Sequence, residues 1–169
     1  MAESNGIAEE TTRLTEFLSF PDLNPLIIEK TLKGFSDTSK NELVASLART
    51  FNPPPSGRLL MRLLYIRTAE NEADMKTLYI ANLGSPQADA RAASLHGLNE
   101  TKHPLVFDFA LSALRDDSNQ VLFAACNILL PKAKEDPNIR KLLQEVHASH
   151  VGDPAFHMTT NLLEAHSIL

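Results

Sequence analysis

Tryptophan is missing from this 169-residue chain, and cysteine occurs once, as Cys126. A lone cysteine closes no intrachain disulfide and builds no thiolate metal site of the zinc-finger kind, so a reducing, cytoplasmic compartment is expected. Glycine is scarce as well. The six glycines fall mostly between apolar runs, where helix ends account for them. None belongs to a Gly-x-Ser-x-Gly elbow, a Walker loop or a Gly-x-Gly-x-x-Gly turn, so no catalytic and no cofactor-binding residue is assigned. Cys126 lies between Ala125 and Asn127 in the most apolar part of the chain, which suits a small buried thiol better than a nucleophile.

Long hydrophobic runs are also lacking. The most apolar stretch, Val121 to Leu130, is interrupted by Asn127 and falls well short of the roughly 20 residues a bilayer-spanning helix needs, so no membrane association is expected. The opening Met1-Ala2-Glu3-Ser4-Asn5-Gly6, followed by Glu9 and Glu10, has neither the basic start nor the apolar core of a secretory signal. Positive charge is not in excess. A net charge of -5 argues against a general polyanion binder, because phosphate neutralisation by Lys and Arg supplies most non-specific affinity for nucleic acid.

What is present is the composition of a folded domain, 43% hydrophobic and 22% charged. Punctuation and periodicity predict ten helical segments. The first, about 6–19, sets Ile7, Leu14, Phe17 and Leu18 on one side, and Asn24-Pro25 opens the second, which closes near Gly34. The third, about 38–51, buries Leu43, Val44 and Leu47 and ends before Asn52-Pro53-Pro54-Pro55. The fourth, about 55–68, carries Leu59, Leu60, Leu63, Leu64 and Ile66, with Arg58 and Arg62 one turn apart on its solvent side. The fifth spans about 71–83, and the sixth, about 86–100, is rich in small residues from Ala88 to Gly97 that permit close packing. The seventh runs from His103-Pro104 to Arg115, and the eighth, capped by Asp117 or Ser118, ends at Pro131. The ninth starts at Asp136-Pro137 and the tenth at Asp153-Pro154.

The segment starts advance by a nearly constant step. Leu83 to Ala93 and Leu114 to Ala125 each read as an apolar helix end, a short polar turn and a small-residue opening, with the pair Ala92-Ala93 recurring as Ala124-Ala125. Such a period marks stacked helix pairs that cannot bury their own apolar faces alone. The chain is therefore read as one all-α domain of about five pairs, at about 6–34, 38–68, 71–100, 104–131 and 137–168. Its terminal pairs must act as caps, with Glu9, Glu10, Thr11, Thr12 and Arg13 giving the first helix a polar outer face and His157, Asn161 and Glu164 the tenth.

The run Ala90-Arg91-Ala92-Ala93-Ser94-Leu95-His96-Gly97-Leu98, preceded by Ser85-Pro86-Gln87-Ala88-Asp89, resembles the second helix of a short HEAT-like repeat of the phycobilisome-lyase type. Arg91 matches the arginine of that pattern, Ala93 and Leu98 its small and apolar positions, and Asp117 the turn acid of the next unit, while Phe123 stands where the arginine would recur. The tetratricopeptide Trp-Leu-Gly-Tyr pattern and the ankyrin Thr-Pro-Leu-His opening are both absent. The resemblance implies a right-handed α-α superhelix, or solenoid, of HEAT-like pairs. It implies a non-catalytic scaffold for a protein or peptide partner. The alternatives it carries are a lyase-like protein that binds or chaperones a bilin or other tetrapyrrole, and a nucleic-acid binder like the HEAT-like DNA glycosylases.

Superposed even-numbered segments share a seam. Phe123, Asn127 and Leu130 occupy it on the eighth helix, with Leu59 and Leu63, Arg91 and Leu95, and His157 and Asn161 at the matching places. HEAT-like solenoids line their concave side with second helices, so the resemblance makes Arg62, Arg91, Phe123, Asn127 and Asn161 candidate partner-binding residues; packing between repeats is the competing reading. His147 and His150, three apart on one predicted helix, are the candidate metal ligands, against a polar rim on the last pair. No His-Glu-x-x-His pattern accompanies them, so no metal is assigned.

Overall fold

A computed structural model describes the backbone of residues 2–50, 54–152 and 154–169, and the side chains of those residues except 2–4, 154–156 and 158. Among the described residues every regular element is helical: α1 (Ala2–Ser19), α2 (Pro25–Leu32), α3 (Asp37–Arg49), α4 (Gly57–Leu63), α5 (Glu72–Asn82), α6 (Ala88–Glu100), α7 (Val106–Ala113), α8 (Asn119–Ala133), α9 (Pro137–Ser149) and α10 (Pro154–Ala165). Starts of successive odd helices, and of successive even ones, are separated by 31 to 35 residues. No helix among the described residues is long and apolar enough to cross a membrane.

Local chemistry sets the starts. Asn24 Oδ1 accepts from the Leu26 amide at 2.8 Å, and Asp136 Oδ1 from the Asn138 amide at 2.8 Å, each just before a proline that loses no bond in the first turn. Ser36 and Ser56 cap α3 and α4 in the same way, at 3.2 and 3.3 Å. The expected end of the third helix at Phe51 and the Asn52-Pro53 corner lie outside the described residues, as does Asp153.

Several boundaries differ from the sequence reading. The fourth helix stops at Leu63 and tightens into a 3-10 turn, Leu64–Ile66, in which Ile66 is buried as expected, at 1% exposure. The sixth and seventh begin two residues later than expected, at Ala88 and Val106. Pro131 does not end the eighth helix but lies inside it. Pro131 is exposed, while Leu129, Leu130 and Ala133 are all buried and hold the last turn in place.

The chain forms two compact units, residues 1–101 and 102–169, divided between the third and fourth expected pairs. In the first unit α1 packs on α3 and α3 on α5, α4 packs on α6, and α5 on α6, while α1 also meets α4 and α2 meets the Leu64–Ile66 turn. Leu14 and Leu18, Leu60 and Leu63, and Leu78 and Tyr79 are fully buried there. Gly97 allows the tightest approach: a Cβ at that position would overlap the Tyr79 ring, whose hydroxyl donates to the Leu60 carbonyl at 3.1 Å. Gly57 likewise abuts the Asp89 backbone, and its amide donates to Asp89 Oδ2 at 3.1 Å. In the second unit α8 touches α7, α9 and α10, which buries most of its circumference and leaves a narrow exposed stripe at Gln120, Phe123, Asn127 and Pro131. Val121, Leu122, Ala125, Ile128 and Leu129 are buried as expected, and Cys126 and Leu130 join them.

Candidate functional site

The candidate site is a cleft on the first unit between α4, its 3-10 extension and α6. Assignment of Leu59, Leu60 and Leu63 to the core leaves Met61 on the open side of α4, and the tightened turn carries Tyr65 out to 43% exposure one turn later. From α6 come His96 and Glu100, also one turn apart, beyond the buried Leu95 and Leu98. Together with Leu64 they enclose about 220 Å³. Arg67 fixes the two sides relative to each other, because its Nη1 donates to the Glu100 carbonyl at 2.7 Å. That carbonyl closes the helix end of α6, where the macrodipole favours a cation.

Arg62 is placed differently from the sequence reading. It is buried, at 9% exposure, rather than on a solvent side with Arg58. Its Nη1 donates to the Leu18 carbonyl at 2.8 Å and to that of Phe20, closing the end of α1. Burial, and then the charge of Arg58, lower its pKa, yet a guanidinium keeps its proton and its donors are used inside the fold. Arg91 is half-buried and donates to the Ser85 carbonyl at 2.9 Å, so it too ties the turn before its own helix. Phe123 and Asn127 share an exposed ridge on α8, with Asn127 Nδ2 donating to the Phe123 carbonyl at 3.1 Å. Leu130, expected in the same seam, is buried, as are Leu59, Leu63 and Leu95. Asn161 and His157 are exposed on α10.

The histidine pair is parted by the helix end. His147 is buried with Nδ1 2.8 Å from Thr159 Oγ1 on α10, whereas His150 lies past the last residue of α9, its Nδ1 2.7 Å from the Val146 carbonyl. Among the described residues no group of three or more His, Cys, Asp and Glu is gathered. Burial pushes the Cys126 thiol up to about 12, so it stays protonated near neutral pH.

Glu10, read as part of a polar outer face, instead caps α3. Its carboxylate accepts from the Ser36 amide at 2.8 Å, from Ser36 Oγ at 2.7 Å and from Ser39 Oγ at 2.6 Å. Those bonds, from Ser39 first and then Ser36, hold it down to about 2.

Other hollows are lined differently. An apolar groove of about 430 Å³ lies among Phe17, Phe20, Leu23 and Phe35 at the end of α1, and a polar hollow of about 350 Å³ lies among Arg115, Asp116, Asp117 and His150. Met61, Tyr65, His96 and Glu100 were not singled out by the sequence reading. The signal that finds them is the residue left over once each buried stripe is assigned, an i, i+4 pair on each of two even helices. Comparison with protein-family models, with curated proteins and with solved structures finds no match for this chain.

Proposed function

We propose that this chain is a non-catalytic interaction module, a short right-handed superhelix of HEAT-like pairs that takes a protein or peptide partner on its even-numbered helices. One observation carries the reading. Among the described residues, the large apolar side chains that lie exposed on α-helices are Leu26, Ile27, Met61 and Phe123 on even helices, against Ile80 on an odd one. Random surface composition would spread them evenly, and aromatic and Met side chains are what protein interfaces concentrate.

The repeat reading is supported by bonds that reach one period along the chain inside the first unit. Glu10 with Ser36 and Ser39, Asn41 with Thr68 and Asn71, Gly57 with Asp89, and Arg67 with Glu100 each join residues 26 to 33 apart. Equivalent helices packed side by side produce that spacing.

A displayed random-peptide selection tests the function. The native chain should enrich peptides, and Met61→Lys, an exposed change, should abolish enrichment while leaving the far-ultraviolet circular dichroism and the melting temperature within experimental scatter. Failure of the native chain to enrich any peptide, or equal enrichment by Met61→Lys, overturns the reading.

A further inference from the structure

We infer that the cleft between α4 and α6 receives the side chain of an Arg or Lys from a basic peptide segment of the partner, an inference that rests on the interaction-module reading and narrows it. The volume, about 220 Å³, lies below the roughly 300–1,000 Å³ of pockets that hold drug-sized ligands, so a single side chain is the scale of occupant that fits. The walls are apolar where an alkyl stem would lie, at Met61 and Leu64, and aromatic at the exposed Tyr65. Long cationic side chains pack in this divided fashion, stem on apolar surface and head on charge.

Charge decides between a cationic and a neutral head. Glu100 supplies a carboxylate at the rim, and among the described residues no side chain pairs with it. It is also the last residue of α6, whose end carbonyl is already taken by Arg67, so the free carboxylate is the group a partner's cation would meet. The protein already seats one guanidinium there, since Arg67 donates to the Glu100 carbonyl and leaves the carboxylate open. A second cation over Tyr65 gains the ring face as well as the carboxylate.

The test uses the full chain, labelled with nitrogen-15, and seven-residue Gly/Ser/Ala peptides with a central Arg, Lys, norleucine or Glu. Arg and Lys peptides should shift the amides of residues 61–65 and 96–101, with dissociation constants at least about threefold tighter than the norleucine peptide and weakening as salt is raised. Glu100→Gln should remove that threefold advantage and leave the norleucine peptide unchanged, whereas Tyr65→Ala should weaken all three. Equal binding of norleucine and Lys peptides overturns the cationic assignment while the interaction-module reading stands on its own display experiment. Shifts confined to other residues, or no shifts with any peptide, overturn the cleft as the receiving site. Because Tyr65 and Glu100 are exposed, an unchanged amide spectrum elsewhere shows that the variants remain folded.

Discussion

The two units solve the same packing problem with different forces. Residues 1–101 are cross-linked by directional polar bonds: Glu10 onto the start of α3, Asn41 onto the start of α5, Asp89 onto the start of α4, Arg62 onto the end of α1 and Arg67 onto the end of α6. Residues 102–169 are organised around α8, which is buried against α7, α9 and α10, with His147 to Thr159, Gln144 to the Ile168 carbonyl and Arg140 to the Ala133 carbonyl among the polar ties between elements. Apolar burial is non-directional and scales with area, whereas a hydrogen bond contributes little net energy but penalises any register that leaves its partner unpaired. The first unit therefore specifies where each helix begins relative to its neighbours. The second depends on how completely one helix is covered.

The most severe way to break the comparison is to remove α1. It covers α3 and α4, and Leu14 and Leu18 are fully buried in that seam, so a chain starting at residue 20 should aggregate and leave the elution position of the native chain in size-exclusion chromatography. A truncated chain that does not aggregate and melts cooperatively would mean the first unit does not need its terminal cap. Next in size is Leu129→Ala in α8, a fully buried leucine whose truncation should lower stability by about 2–5 kcal/mol in a denaturant titration. Hydrogen exchange should then rise across α8, α9 and α10. Exchange that rises no further than the substituted turn would mean α8 is not the organising element of its unit.

Gly97→Ala sharpens the other side of the comparison. The added methyl would overlap the Tyr79 ring, which is itself held by its bond to the Leu60 carbonyl, so the pair cannot separate without disturbing α4. A destabilisation of about 1–3 kcal/mol is expected, with faster exchange in α4, α5 and α6. A second change, Tyr79→Phe, separates the two contributions: it keeps the ring against Gly97 but leaves the Leu60 carbonyl without that donor, at about 1 kcal/mol.

These contrasts also explain what could be read from sequence. Helix starts were legible because their signals are local: Asn24-Pro25 and Asp136-Pro137 cap and open a helix with residues next to each other. The all-helical class and the near-constant step followed from the same punctuation. Arg62 was misplaced because its acceptors, the carbonyls of Leu18 and Phe20, stand 44 and 42 residues away. Periodicity alone puts an arginine beside Arg58 on the wet side, and only the end of another helix turns it inward. Pro131 failed as a stop because packing of the turn around it outweighs the lost bond. The cleft was missed for a related reason: it is made of leftover residues from two helices and a 3-10 turn, and a scan for one repeated seam follows equivalent positions instead.

The smallest effect expected is also the one that isolates a single cap. Glu10 has a folded pKa near 2, below the ordinary value of 4.5 given for the free group, so it binds fewer protons folded than unfolded through the interval between them. Its contribution is therefore fully present above about pH 4.5 and is lost as the pH falls toward 2. Glu10→Gln removes the proton-linked part and leaves an amide oxygen that still accepts from the Ser36 amide or a serine hydroxyl. The variant should differ from the native chain near neutral pH by a small drop in melting temperature, and that difference should shrink as acid is added and vanish near pH 2. A difference that stays constant across the titration would show that the carboxylate's charge adds nothing at the start of α3, and that shape and donors alone set the register there.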